Sequence, residues 1–92
     1  MLFHRMIGLM ETEAITPSGA VPAVTKRTAA GKARFAVEIQ AKGGDVYVGN
    51  KEVTSSNGLC IKDGESRVFP VNRNEAIYIT GGPCVVVDYY DG

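Results

Sequence analysis

Apolar and other side chains alternate most clearly from residue 33 onward. In "RFAVEIQ", residues 34–40, the period is two residues, which is typical of a half-buried strand. We therefore expect Phe35, Val37 and Ile39 on the core face. Five more short apolar runs follow, and they are "VYVG", "LCI", "SRVFPV", "AIYIT" and "CVVVDYY". In the last run we expect Val85 and Val87 on the core face.

The segments between these runs are rich in turn residues. They contain Gly43-Gly44, Asn57-Gly58 and Asp63-Gly64, and Pro70 favours an edge strand or a bulge. Strands and turns recur about every 8–12 residues, which is typical of an all-β sandwich or barrel. The predicted fold is a small antiparallel β-sandwich or barrel, jelly-roll-like, with an extended N-terminal arm.

Residues 1–15 are interpreted as an N-terminal docking arm, ahead of a single domain at 16–92. Its large apolar residues are Leu2, Phe3, Met6, Ile7, Leu9 and Met10. The sequence leaves two arrangements of this arm open. The arm could fold back on its own domain as a strand or short helix, or dock on another chain, which would cover an otherwise exposed apolar patch.

The connector at 16–34 contains the one basic cluster of the chain, which is formed by Lys26, Arg27, Lys32 and Arg34. A solvated hairpin loop explains this cluster. Contact with an acidic protein surface or a phosphate backbone is the functional alternative.

Composition narrows the functional classes. The chain has 92 residues, 45% of them hydrophobic, and a formal net charge of zero. One domain is expected, and a general nucleic-acid binder would carry a basic excess. No apolar run approaches the roughly 18–20 residues that a membrane span needs. A signal peptide is not expected. Cys60 and Cys84 are predicted to be buried, reduced thiols, and a Cys60–Cys84 bond is the alternative if their segments are neighbours.

The residues offer little chemistry for catalysis. His4 is the single histidine, and it is far in sequence from both cysteines and from the serine-rich loop. Without a base near a nucleophile, or enough close ligands for zinc, we expect no catalytic, metal or cofactor site.

Three tyrosines, Tyr47, Tyr78 and Tyr90, are predicted to face away from the Val and Ile core. Outward tyrosines are common in interfaces, so we interpret them as a subunit interface. A second, minor core is the alternative.

Residues 46–90 combine Val-x-Val-Gly, Val-Thr-x-x-x-Gly, an apolar pair, a Gly-Glu turn, Ile-Tyr-Ile, a glycine turn and a valine strand ending in aromatics. The pattern is formed by Val46, Val48, Gly49, Val53, Thr54, Gly58, Leu59, Ile61, Gly64, Glu65, Ile77, Tyr78, Ile79, Gly81 and residues 85–90. It resembles a module of small virion structural proteins of tailed bacteriophages, and the match covers about residues 33–92.

The resemblance implies a non-enzymatic virion protein, assembled in the host cytoplasm. We expect a capsid decoration (cement) protein that binds the head and self-associates, with a trimer favoured. Its partners would be the major capsid protein or tail and portal proteins. The alternatives are a tail or head-to-tail connector component, or a host- or carbohydrate-binding module that uses Tyr89, Tyr90, Asn50 and Asn57.

Overall fold

A computed structural model of the chain describes residues 7–25, 33–72 and 76–91. These ranges contain strands, turns and bends, and no helix. The eight strands are β1 (Ile7–Ile15), β2 (Val21–Pro22), β3 (Arg34–Ala41), β4 (Val46–Gly49), β5 (Leu59–Ile61), β6 (Ser66–Pro70), β7 (Tyr78–Gly81) and β8 (Cys84–Asp91). The all-β prediction is confirmed.

The strands form two antiparallel sheets of four strands each. Sheet one has the order β1-β8-β3-β6, and sheet two has the order β2-β7-β4-β5. This is the strand order of a jelly roll, in which the chain repeatedly passes between two packed sheets. The small antiparallel sandwich predicted from the turn spacing is therefore confirmed.

Strands β3 to β8 coincide with the six apolar runs of the sequence, within one or two residues at each end. Pro70 ends β6, the edge strand of sheet one, as its missing N–H requires.

The core lies between the two sheets and consists mainly of branched aliphatic side chains. Inward strand positions of both sheets, with one residue just after β2 and one just after β6, are buried and pack together: Ala23, Val37, Ile39, Ala41, Val46, Val48, Ile61, Val71, Ile79, Cys84 and Val86. Burial of these side chains is the main stabilising contribution to the fold.

A β-bulge in β3 corrects the predicted orientation of Phe35. Arg34 pairs with Tyr90 and Ala36 pairs with Tyr89, so Phe35 is an extra residue in the β3 ladder. Phe35 packs with Ala36 and Tyr89 in a second cluster, separate from the main core. The two-residue period is broken at this point, because an inserted residue shifts the alternation by one.

Strand β8 is oriented in the opposite phase to the prediction. Cys84 and Val86 belong to the main core, whereas Val87 packs in the second cluster with Tyr89. Tyr90 is only 2% exposed, so its prediction as an outward interface residue is wrong. "CVVVDYY" has apolar residues in both phases, and the inward position of Asp88 depends on an ionic partner that is distant in sequence.

Part of the predicted arm is a strand of sheet one. Residues 7–15 form β1 and pair with β8, with a bulge between Ile7 and Leu9. Of the two open alternatives, folding back on the same domain therefore applies to these nine residues. The arm hypothesis now concerns residues 1–6, which lie outside the described residues.

Candidate functional site

A buried polar cluster surrounds the carboxylate of Asp88, which is fully buried on the inward face of β8. The backbone N–H and the hydroxyl of Thr25 both donate to Asp88 Oδ2 at 3.0 Å. Arg34 Nη1 donates to Asp88 Oδ1 at 3.0 Å and also to the carbonyl oxygen of Ala23. One carboxylate therefore holds the residues on both sides of the segment 26–33.

This cluster corrects the prediction for Arg34. Its side chain is 11% exposed and ion-paired with a fully buried carboxylate, so it is not a residue of an exposed basic loop. The bulge at Phe35 explains the geometry, because it places Arg34 on the inward face with Asp88. The converging donors stabilise the charged carboxylate, which indicates a structural role.

The loop at 50–58 is held by its own hydrogen bonds. Asn50 Oδ1 accepts from the N–H of Glu52 at 2.8 Å, and Asn57 Oδ1 accepts from the N–H of Thr54 at 2.8 Å. Val53, a residue of this loop, is buried and lies against Gly49 and Gly58. Because both asparagine side chains organise the backbone, the loop serves as part of the scaffold.

Two turns at one end of the sandwich are joined to each other. Asp63 Oδ1 accepts from the N–H of Gly43 at 2.9 Å, and Asp45 Oδ1 accepts from the N–H of Asp63 at 3.0 Å. Lys62 Nζ lies 3.6 Å from Asp45 Oδ2, and both side chains are exposed to solvent. The carboxylates of Asp45 and Asp63 therefore hold these two turns together.

The strand positions on the outward face of sheet two contain no Asp, Glu, Lys, Arg or His. By register, these positions are Pro22, Tyr47, Gly49, Cys60, Tyr78 and Thr80. Tyr47 and Tyr78 lie on this half-exposed face, so their predicted outward orientation is confirmed. Tyr47 pairs with Thr80, so Tyr78 is its diagonal neighbour, about 7–8 Å away.

The four tyrosines fall into two pairs. Tyr89 and Tyr90 are 8% and 2% exposed, and Tyr89 Oη donates to Glu38 Oε1 at 2.6 Å. Within the described residues, neither the hydroxyl of Tyr47 nor that of Tyr78 makes a hydrogen bond. Tyr47 and Tyr78 are therefore available to a binding partner, whereas Tyr89 and Tyr90 belong to the structure.

Burial and the neighbouring carboxylate of Glu38 raise the pKa of Tyr89 to about 12. Burial is the larger cause, and the hydrogen bond and negative charge of Glu38 act in the same direction.

The residues of the carbohydrate-binding alternative do not form a common site. Tyr89 and Tyr90 are buried, and the side chains of Asn50 and Asn57 bond within their own loop. A glycan-binding surface would therefore need other side chains.

Both cysteines are free thiols in opposite sheets. Cys84 is buried in the core, and burial raises the pKa of its thiol. Cys60 is half-buried on the outward face of sheet two. Cys84 is buried as predicted, Cys60 is only partly buried, and the two do not form a disulfide with each other.

Several predicted site residues lie outside the described residues. In the docking arm these are Leu2, Phe3 and Met6, and in the basic cluster they are Lys26, Arg27 and Lys32. Ile7 is placed in β1, and Leu9 and Met10 are 38% and 58% exposed on the same strand.

In the described ranges, no group of three or more His, Cys, Asp or Glu side chains could hold a metal ion. The same ranges contain no helix long and apolar enough to cross a membrane.

No protein-family model matches the chain, and a search of curated proteins returns no match.

The sequence predictions missed Asp88 and its donors. The signal that could have found them is a charged residue within the apolar run 84–90. A buried carboxylate needs a partner, and Arg34 begins the other long strand of the chain. Their pairing depends on the bulge, which the sequence does not reveal.

Proposed function

We propose that this chain is a non-enzymatic structural protein of a tailed-bacteriophage virion that decorates the capsid surface. The resemblance of residues 33–92 to small virion proteins supports the family. The residues that carry the resemblance, within 46–90, lie in strands β4 to β8 and in the turns between them. Jelly rolls recur in viral capsid proteins and in lectins, so the fold is compatible with the proposal without selecting it.

The observation that carries the proposal is the outward face of sheet two. It presents Tyr47 and Tyr78 side by side, without ionisable charge on the strands around them. Interface cores are depleted in charged residues and enriched in tyrosine. Its tyrosines were interpreted above as a subunit interface, and we propose that the face docks on the virion instead.

The first experiment is co-sedimentation of the purified protein with capsids that lack it. A decoration protein should pellet with capsids at a fixed number of copies per particle. Binding to tails or portals at a few copies would instead favour the connector alternative. Binding to cells or to a glycan array, without binding to particles, would contradict a decoration role.

Tyr78→Lys tests the docking face, because it adds a charge at a half-exposed position. We expect a loss of capsid binding of at least about tenfold, since a charge buried without a partner is costly. Ser55→Lys is the matched control, which adds the same charge in an exposed loop and should bind normally. Full binding by Tyr78→Lys would place docking elsewhere.

Deletion of residues 1–6 tests the docking arm. The deletion stops before Ile7 because β1 begins there and pairs with β8. A shortened protein with an unchanged thermal midpoint should fail to join particles if the arm docks. Normal incorporation would remove the arm from the docking hypothesis.

A further inference from the structure

Asn57 and Gly58 form a dipeptide in which the asparagine side chain can react with the backbone of the next residue. Because Gly58 has no Cβ beside its nitrogen, that nitrogen can approach the Asn57 side chain without steric hindrance. Of the four asparagines in the chain, only Asn57 precedes a glycine. Asn57 is also exposed to solvent in the loop at 50–58. The dipeptide therefore has the composition and the exposure that deamidation requires.

The reaction needs only water besides the chain itself. The backbone nitrogen of Gly58 attacks Cγ of Asn57, and a succinimide ring closes as the bond between these two atoms forms. The bond from Cγ to Nδ2 breaks, and Nδ2 leaves as ammonia with the proton that the Gly58 nitrogen loses. Water then opens the ring at either of its carbonyl carbons, which gives aspartate or isoaspartate.

In the closed loop, hydrogen bonds hold both reacting groups. The N–H of Gly58 donates to the carbonyl oxygen of Thr54 at 3.0 Å. The side chain of Asn57 accepts from the N–H of Thr54 at 2.8 Å and donates to the carbonyl oxygen of Glu52 at 3.4 Å. Attack requires the Gly58 nitrogen to lose its proton and to meet Cγ of Asn57 in the correct orientation, so these bonds must break first. The reaction therefore starts from an open loop.

The products do not fit the closed loop as Asn57 does. An added Cβ at Gly58 would lie 2.7 Å from Cβ of Tyr47 and 2.8 Å from Cγ2 of Val53, so the backbone is tightly packed at this point. Isoaspartate lengthens the backbone directly before this contact. Aspartate lacks the amide hydrogen that Asn57 donates to Glu52. Deamidation should thus disturb the packing beside Tyr47.

We propose that Asn57 is a site of spontaneous deamidation, and that local opening of the loop at 50–58 controls its rate. Segments that are held by solvent-exposed hydrogen bonds open at a lower free energy than the whole fold. The bonds of the Asn50 and Asn57 side chains in this loop are of that kind. This inference is independent of the virion proposal, because the purified protein alone tests it.

Incubation of the purified full-length protein at neutral pH, followed by peptide mass spectrometry, measures the rate. Replacement of the amide NH2 by OH raises the mass of the peptide that contains Asn57. The folded wild type should react at least about tenfold more slowly than the chain unfolded in guanidinium chloride. Asn57→Gln should abolish the mass change at this position, since its longer side chain closes such a ring far less readily.

Two further variants separate local opening from global unfolding. Asn50→Ala removes the acceptor of the Glu52 N–H at the start of the loop, and it should raise the rate in the folded protein about two- to tenfold. Asn50→Asp keeps an acceptor there and should react as the wild type does. Ile39→Val is the matched control, because it destabilises the main core to a similar extent without contact to the loop. It should leave the rate unchanged.

The outcomes distinguish the site from its control. Acceleration by Ile39→Val equal to that by Asn50→Ala would show that global unfolding exposes Asn57, and it would overturn local control. A folded wild type that reacts as fast as the unfolded chain would overturn it as well. A mass change on another asparagine, without one on Asn57, would contradict the assignment of the site.

Discussion

The side-chain hydrogen bonds in and beside the two sheets differ in how far along the chain they reach. Sheet two consists of strands of two to four residues. Its connecting loop at 50–58 is held by bonds between residues two to five positions apart. Sheet one contains strands of up to nine residues, and Asp88 bonds to Thr25 across 63 positions.

The two sheets also differ in how exposed their ion pairs are to solvent. The ion pair between Asp45 and Lys62, in the turns beside sheet two, is exposed to solvent. The ion pair between Asp88 and Arg34 is buried in sheet one. Sheet two is therefore expected to respond to changes in local turn chemistry, and sheet one to the loss of single distant contacts.

The largest effect is expected from Asp88→Asn. The substitution removes the carboxylate charge that pairs with the 11% exposed side chain of Arg34. Removing one member of a buried pair costs about 3–5 kcal/mol of unfolding free energy. Urea denaturation measures this loss.

Lys62→Ala is the control for Asp88→Asn, because it removes an exposed ion pair. It should cost at most about 1 kcal/mol. Equal losses in the two variants would contradict the difference between the sheets.

An intermediate effect is expected from Gly81→Ala in sheet two. Gly81 has a φ of +109°, and an added Cβ would lie 2.5 Å from the carbonyl oxygen of Asp45. Backbone strain alone should cost about 1–3 kcal/mol, and displacement of the carbonyl adds to it. Thermal unfolding measures the loss.

Gly64→Ala separates the two causes. Gly64 has a φ of +89°, and an added Cβ would meet no atom within 4 Å. It should therefore show the strain without the close approach and lose less stability than Gly81→Ala. If the two variants lose the same amount, the contact with Asp45 contributes nothing.

The smallest effect is expected from Tyr89→Phe, which removes the hydroxyl that donates to Glu38. At neutral pH the loss should be about 1–2 kcal/mol. The pKa of Tyr89 is raised from 10 to about 12 in the folded protein. The corresponding stability is present below pH 10 and is lost as the pH rises towards 12.

The difference in unfolding free energy between wild type and Tyr89→Phe should therefore shrink above pH 10. Groups other than Tyr89 are common to the two proteins, so the difference between them cancels their contribution. An unchanged difference up to pH 12 would argue against the raised pKa.

The sequence correctly predicts the elements that depend only on residues close together in the chain. Strand β3 follows from alternation, the turn at 57–58 follows from Asn-Gly, and the edge position of β6 follows from Pro70. The outward orientation of Tyr47 and Tyr78 follows from the valines and isoleucines beside them.

The misassigned features depend on contacts between distant residues. The bulge at Phe35 and the phase of β8 are coupled, because Arg34 and Asp88 pair only when both occur. The basic residues 26–34 looked alike in sequence, yet Arg34 is part of the buried cluster. Alternation within one strand contains no information about such a partner.

The central position of β8 has a consequence for protein synthesis. β8 lies between β1 and β3, so until residues 84–91 have left the ribosome β1 has no partner strand and β3 has only β6. A nascent chain that stops before this point would carry two unpaired strand edges, which are prone to aggregation. A chain truncated before β8 should thus be removed by proteases rather than accumulate as a shortened subunit.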